Sequence, residues 1–412
     1  VTAFFTSRWV PQPDHVEVLD GGLPRGFRAA GVAAGVKASG EKDLGLLVSD
    51  APETVSAARF TRSGVLAAPV LVSRDRSEVG GLRAVVANSG NANAATGTSG
   101  FDDAVAMQAG AAAALELEAA RVAVGSTGVI GVPLPLDRIL GGLEVLRGEL
   151  RADGDGDFAD AIRTTDKFAK RASLLVRLPA GEVRLSAQCK GAGMIQPNFA
   201  TMLCFVETDA QLEAETADLL LGVTVKRSFD RISVDGQLST NDTVVLLANG
   251  ASGVKVEPMS EDELRLGEAL DSLLRQLALL IAADGEGAVR VGRIVVTGGD
   301  HAQVEAVARS VANSPLVKAA LNGGDPNWGR IAQAVGGALL DAAPLPFDVA
   351  IEGVQVLAAG EGLRFDQQAL NRAVARDEVE YVVALPGDGA ETEVFFSDLS
   401  HEYVTINAEY TT

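Results

Sequence analysis

Cysteine and histidine are scarce: the 412 residues hold only Cys189 and Cys204, and His15, His301 and His401 lie far apart. Two cysteines cannot build a disulfide framework, and three scattered histidines show no metal-ligand spacing, so no structural metal is expected. Basic residues are in the minority, 35 Lys and Arg against 55 Asp and Glu, for a formal charge of −20. No basic stripe exists to neutralise phosphates, which argues against a nucleic-acid partner. Long apolar runs are missing too. The strongest, residues 273–283, is interrupted by Arg275 and Gln276 and falls short of the roughly 18 residues that span a bilayer, so it reads as a buried helix and no membrane partner is expected. Residues 1–10 lack the apolar stretch and small-residue site of a secretory signal, and a cytoplasmic location is expected.

What the chain has in quantity is core material: 47% of it is hydrophobic, and 45 residues are glycine. Length alone suggests two or three domains. Strand-like runs at 82–87 and 121–125 alternate with alanine-rich amphipathic segments at 102–117 and 261–283, the signature of a mixed α/β protein. After Gly287 come a strand at 293–297, a helix at 301–320 and strands near 349–356, 380–385 and 393–396. These read as a C-terminal α+β unit, which divides the chain into 1–288 and 289–412. The alternating Asp and Gly of 153–157 read as an exposed loop. Segments 183–186 and 202–206 read as strands separated by loop chemistry at 191–198, which places Thr201 where a loop becomes a strand.

The segment Lys190-Gly-Ala-Gly-Met-Ile-Gln-Pro-Asn-Phe-Ala-Thr201 delivers a threonine from a glycine-rich turn into an apolar strand. A threonine hydroxyl is a poor nucleophile near neutral pH and needs a base. The threonine's own α-amine, with an ordinary pKa of roughly 7.7–8.0, is one solution. Here that amine can arise only by cutting the Ala200–Thr201 bond, which the same hydroxyl could do by attacking the Ala200 carbonyl. The plain alternative is a β-branched residue opening a strand after a turn, and composition leaves both open.

This segment, followed by Met202 and Leu203, resembles the cleavage-site motif of the ornithine acetyltransferase (glutamate N-acetyltransferase) family of arginine biosynthesis. Other landmarks follow in the family's order: Phe27 to Lys37, Phe60-Thr61-Arg62, Asn88 to Asn93, Ser126 to Gly131, Thr164-Thr165-Asp166, Ser239 to Asp242, Asp284 to Gly287, Asp325 to Arg330 and Asn407 to Thr412. The resemblance implies a layered αββα sandwich of the type shared with the related aminopeptidases, with a smaller C-terminal α+β domain. It implies autoproteolysis into an α chain (1–200) and a β chain (201–412), paired as α2β2. The implied reaction is a ping-pong transfer of acetyl from N-acetylornithine to glutamate through an ester on Thr201, without an external cofactor. Acetyl-CoA as a donor substrate is left open. By motif, Thr127 and Gly128 stabilise the oxyanion, and Thr165, Lys190, Thr201, Glu286, Asn407 and Thr412 bind substrate.

The sequence departs from the family pattern at Lys167-Phe168-Ala169-Lys170, where a threonine and a proline are usual, and at Phe199, where methionine is common. Two further readings stand beside the first: an amidohydrolase or aminopeptidase of the same fold, which releases the acyl group to water, and a paralogous acetyltransferase of a secondary-metabolite pathway. A non-catalytic amino-acid-binding protein is disfavoured by Thr201, Lys190, Thr127 and Gly128 occurring together. Asn91 and Asn93, and the Asp325–Arg330 segment, read equally as functional or as local backbone anchors, and Cys204 reads as a small core residue.

Overall fold

The computed structural model describes residues 4–196 and 202–409. Along the chain the strands are β1 (Val16–Leu19), β2 (Phe27–Val32), β3 (Leu44–Ser49), β4 (Val55–Phe60), β5 (Ala84–Asn91), β6 (Val122–Val129), β7 (Lys170–Leu178), β8 (Gly181–Lys190), β9 (Leu203–Thr208), β10 (Ile232–Ser233), β11 (Thr243–Ala248), β12 (Val291–Thr297), β13 (Asp348–Ile351), β14 (Val354–Ala358), β15 (Glu361–Gly362), β16 (Glu378–Ala384) and β17 (Glu391–Ser397). The helices are α1 (Ala68–Asp75), α2 (Gly97–Leu115), α3 (Leu136–Glu149), α4 (Asp155–Ala161), α5 (Ala214–Arg227), α6 (Glu261–Ala283), α7 (His301–Asn313), α8 (Pro315–Gly323), α9 (Trp328–Ala338), α10 (Gln367–Ala373) and α11 (His401–Glu409).

Two sheets stack face to face. One has the order β1-β7-β8-β9-β11-β4, the other β2-β3-β5-β6. Strands β3, β9 and β11 are buried along their whole length. Both of their faces must therefore be apolar, and Leu-Gly-Leu-Leu-Val-Ser and Thr-Val-Val-Leu-Leu-Ala supply that pattern. Between the sheets Leu47, Val85, Ala123, Leu203, Phe205, Val245 and Leu247 form one core with Phe158 of α4. On the outer face of the six-stranded sheet, α5 and α6 pack through Leu221, Val225, Leu270, Leu273, Leu277 and Ile281. On the outer face of the four-stranded sheet, α1, α2 and α3 pack through Val72, Met107, Ala111, Ile139 and Leu143. The result is an αββα sandwich.

The C-terminal segment builds a seven-stranded sheet in the order β10-β17-β12-β16-β13-β14-β15, covered by α7, α8, α9 and α10 around an apolar core of its own. Its β10 comes from the middle of the chain and pairs parallel with β17. Helix α6 begins at Ser260, whose hydroxyl accepts the Glu263 amide at 3.1 Å, with Glu261, Asp262 and Glu263 at the positive end of its dipole. Its Arg275 is not a surface break in an apolar run: it pairs with Glu393 at 2.8 Å and lies over Phe395.

Three sequence expectations are corrected. Residues 153–157 are not an exposed loop, because α4 starts at Asp155, which is buried and pairs with Arg171. The helix expected over 301–320 is two helices, broken at Ser314, which caps α8 by accepting the Val317 amide at 3.4 Å ahead of Pro315. The strand near 349–356 is a hairpin, turned at Glu352-Gly353 with both residues at positive φ.

Candidate active site

Strand β6 carries Thr127 and Gly128 just before its last residue, Val129. Gly128 has a φ of +131° beside the irregular pairing of β5 at Gly90 and Asn91, and a Cβ there would sit 2.4 Å from the Gly90 carbonyl carbon. Only glycine allows this approach. Strand β8 ends in Lys190, which is buried, and its Nζ donates to Thr127 Oγ1 at 3.2 Å. Burial pushes the Lys190 ammonium pKa down, and the nearby Asp166 carboxylate opposes that shift.

Behind Lys190 lies a fully buried charge network. Lys170 Nζ donates to Asp166 Oδ1 at 2.7 Å and to Asp284 Oδ2 at 2.6 Å. Asp166 also accepts the amides of Gly191 at 2.7 Å and Thr164 at 3.1 Å. Burial alone would raise the Asp166 pKa, but the charges of Lys170 and Lys190 and these hydrogen bonds outweigh it and hold the carboxyl well below the usual range. The departing segment 167–170 therefore has a structural role: Lys170 locks the Thr164–Asp166 turn, and the Lys167 amide reaches Asp284 at 3.1 Å.

Glu286, at the turn after α6, accepts Thr165 Oγ1 and Asn407 Nδ2, each at 2.8 Å. A Cβ on Gly193 would meet the Glu286 carboxyl at 2.8 Å, so the loop after β8 passes against it. Asp235 accepts the amides of Met194 at 2.7 Å, Ile195 at 2.9 Å and Gln237 at 3.1 Å. Its pKa is nevertheless raised, burial exceeding those bonds. The Tyr403 hydroxyl pKa is pushed up to about 12, by burial first and then by the Asp235 and Glu286 charges. Met194 holds a φ of +54°, a left-handed conformation uncommon outside glycine.

These groups enclose a cavity of about 260 Å³ lined by Thr127, Gly128, Thr165, Lys190, Glu286 and Asn407. Six sequence-predicted site residues are thus brought together from β6, β8, the turns after α4 and α6, and α11. Thr201, Ala200 and Thr412 lie outside the described residues, but β9 starts at Leu203, next to the end of β8, with Lys190 paired to Leu203. Asp235, Gln237 and Tyr403 also line the cavity and were missed. Asp235-Gly236 reads only as a turn in sequence, and nothing marks Tyr403 before α11 is placed.

Other candidates lie elsewhere. Asn91 and Asn93 donate to the carbonyls of Val132, Pro133 and Gly100, so they anchor backbone. Asn327 caps α9 and Trp328 packs on the C-terminal core. Cys204 is buried in the core under α6. Among the described residues, no group of three or more His, Cys, Asp or Glu is placed to hold a metal ion.

A buried cation facing carboxylates, hydroxyls and an amide, in a cavity below the ~300–1,000 Å³ usual for drug-sized ligands, offers groups of both charges at the ends of β6 and β8 in an αββα sandwich. The sequence profile of the ArgJ family matches residues 28–412, and the chain belongs to this family. It is 43% identical over 397 residues to the arginine biosynthesis bifunctional protein ArgJ of Rhodopirellula baltica, covering 95% of this chain and 96% of that protein. It is 43% identical to the protein of the same name from Symbiobacterium thermophilum over 405 residues, 96% and 100% of the two chains. A crystal structure of the Mycobacterium tuberculosis ornithine acetyltransferase complexed with ornithine is 42% identical, with a TM-score of 0.41, covering 44% of this chain and 98% of that chain. No helix among the described residues is long and apolar enough to cross a membrane.

Proposed function

We propose that this chain is an autoproteolytic, N-terminal-threonine acetyltransferase of arginine biosynthesis, moving acetyl from N-acetylornithine to glutamate. Membership of the ArgJ family carries the reading, and the convergence of Thr127, Gly128, Thr165, Lys190, Glu286 and Asn407 on one cavity supports it.

The Thr201 hydroxyl attacks the Ala200 carbonyl carbon, shifting the acyl group from nitrogen to oxygen while the hydroxyl proton passes to the Thr201 nitrogen. Water hydrolyses this ester, leaving a carboxylate on Ala200 and a free amine and hydroxyl on Thr201. The amine then takes the Oγ proton as Oγ attacks the acetamide of N-acetylornithine, and returns it to the departing ornithine amine. Glutamate's amine attacks the acetyl ester and restores the hydroxyl. In each tetrahedral step, Thr127 and Gly128 donate to the oxyanion.

Lys190 pairs with the substrate α-carboxylate, already pointing its ammonium at Thr127. Glu286, held by Thr165 and Asn407, receives the ornithine amine, and Thr412 completes the site from the C-terminus. The cycle needs no cofactor. The word "bifunctional" in the relatives' names supports acetyl-CoA as a second acetyl donor to glutamate. The processed chains 1–200 and 201–412 stay associated as an α2β2 assembly in the cytoplasm, with the 289–412 segment as a second domain. The test is acetyl transfer itself: ornithine release from N-acetylornithine should depend on glutamate. Equal acetate release with and without glutamate would instead identify a hydrolase.

A further inference from the structure

The two substrates of the proposed reaction set the site an electrostatic problem. N-acetylornithine ends in a δ-ammonium and glutamate in a γ-carboxylate. Both end groups stand the same number of bonds from the α-carbon, so they reach the same end of the cavity once Lys190 holds the α-carboxylate. That end is walled by two carboxylates, Glu286 and Asp235, joined by the loop after β8. A Cβ on Gly193 would meet the Glu286 carboxyl at 2.8 Å, and Asp235 accepts the amide of the next residue, Met194, at 2.7 Å. An ammonium is attracted there, whereas a carboxylate is repelled unless a hydrogen-bond donor meets it.

The donors that touch Glu286 are already spent. The single hydroxyl hydrogen of Thr165 goes to Glu286 Oε1 at 2.8 Å, and the two amide hydrogens of Asn407 go to Glu286 Oε2 at 2.8 Å and to the Tyr403 carbonyl at 3.0 Å. Thr164, Gln237 and Tyr403 also line the cavity. Thr164 is tied by its amide to Asp166, the counter-charge of Lys190, and Gln237 is exposed, so water competes for its side chain. The Tyr403 hydroxyl lies against Asp235 and in the field of Glu286. Burial first, and then these charges, push its pKa up to about 12, so it stays a neutral donor. Asp235 does not depend on it, because the amides of Met194, Ile195 and Gln237 already serve both carboxyl oxygens. The hydroxyl can therefore turn from Asp235 to a substrate carboxylate at little cost.

The backbone fixes Tyr403 in this place. Gly287 has a φ of +72°, a Cβ on it would sit 2.4 Å from the Tyr403 nitrogen, and Ser400 Oγ donates to Gly287 O at 2.7 Å. The first turn of α11 thus rests on the residue that follows Glu286. We infer that Tyr403 is a specificity-determining residue for the acceptor: its hydroxyl donates to the γ-carboxylate of glutamate, whereas Glu286 takes the δ-ammonium of N-acetylornithine. The inference rests on the proposed acetyl transfer. One pocket then accepts side chains of opposite charge by changing which neighbour meets the end group.

The test compares Y403F with the parent, using glutamate and isotopically labelled ornithine as alternative acceptors for the same acetyl-enzyme. Exchange of labelled ornithine into N-acetylornithine, without glutamate, controls for any change in the acetyl chemistry. Phenylalanine keeps the ring and removes only the hydroxyl, and Y403F is expected to melt near the parent temperature. Its kcat/KM for glutamate should fall roughly tenfold to a hundredfold, the loss of a hydrogen bond to a charged group, through KM more than kcat. Ornithine exchange should fall far less, so the preference for glutamate over ornithine drops by nearly the same factor. If Y403F does not fold, Y403L reads the same preference, since no residue of α11 is fully buried. If both acceptors lose rate alike, or neither does, the role of Tyr403 is overturned and the transferase reading stands. If the parent exchanges no ornithine and releases acetate equally with and without glutamate, the transferase reading itself fails.

Discussion

Glu207 offers the sharpest test of the folding physics, because its carboxyl is completely buried between the two sheets. Its Oε2 accepts Ser186 Oγ at 2.5 Å and Gln188 Nε2 at 3.2 Å, while Oε1 and the neighbouring Gln188 Oε1 have no donor. Burial raises its pKa from the ordinary 4.5 to about 8, outweighing the two hydrogen bonds. A proton on Glu207 supplies the missing donor, and the folded protein holds this acid neutral at pH 7. The unfolded chain releases that proton above pH 4.5, so the stability Glu207 contributes is fully present below that pH and is lost as pH rises to about 8. In this window stability falls by roughly 1.4 kcal/mol per pH unit from this group alone. Glu207→Gln keeps an acceptor for Ser186 and places an N–H donor where the proton was. It should remove that slope and leave the variant roughly 4–5 kcal/mol more stable than the parent at pH 8, with little difference at pH 4.5. Urea unfolding at pH 5, 6, 7 and 8 measures this. Parallel stability curves for variant and parent would refute a neutral Glu207.

Lys190→Met removes the buried cation without opening a large cavity. It should raise KM for both substrates tenfold to a hundredfold, roughly the 1.5–3 kcal/mol of a charged hydrogen bond, with an unchanged or higher melting temperature. Gly128→Ala places a Cβ against the Gly90 carbonyl carbon at a strained φ, so both stability and kcat should fall, the melting temperature showing the first and steady-state kinetics the second. Asp166→Ala leaves Lys170 with Asp284 alone and removes the counter-charge of Lys190, and should cost roughly 3 kcal/mol in denaturant unfolding.

Helix α6 was legible to its ends, because a Ser cap, three acidic residues and a continuous apolar stripe agree on one element. The β8-loop-β9 arrangement was legible for a similar reason, glycines and polar residues separating two apolar runs. The αββα layering was not readable from periodicity, since strands such as β3 and β11 are buried on both faces and lose the alternation that would orient them; it came from family likeness. Helix α4 was missed because alternating Asp and Gly look like loop chemistry, and only the pairing of Asp155 with Arg171 from β7 explains its burial. The family motifs named six residues now found around one cavity, while Asp235 and Tyr403 carried no local signal. Their roles depend on which backbone amides and carboxyls the fold brings beside them.

In the proposed cycle the Ala200–Thr201 bond is cut and the new Thr201 terminus carries the acetyl group. Denaturing electrophoresis of fresh, active protein should give two chains, one of which starts Thr-Met-Leu-Cys-Phe on N-terminal sequencing. Mass spectrometry after brief exposure to N-acetylornithine without glutamate should find that chain heavier by one acetyl group, lost again when glutamate is added. A single intact chain in fully active protein, or an acetyl group that glutamate cannot remove, would contradict the account.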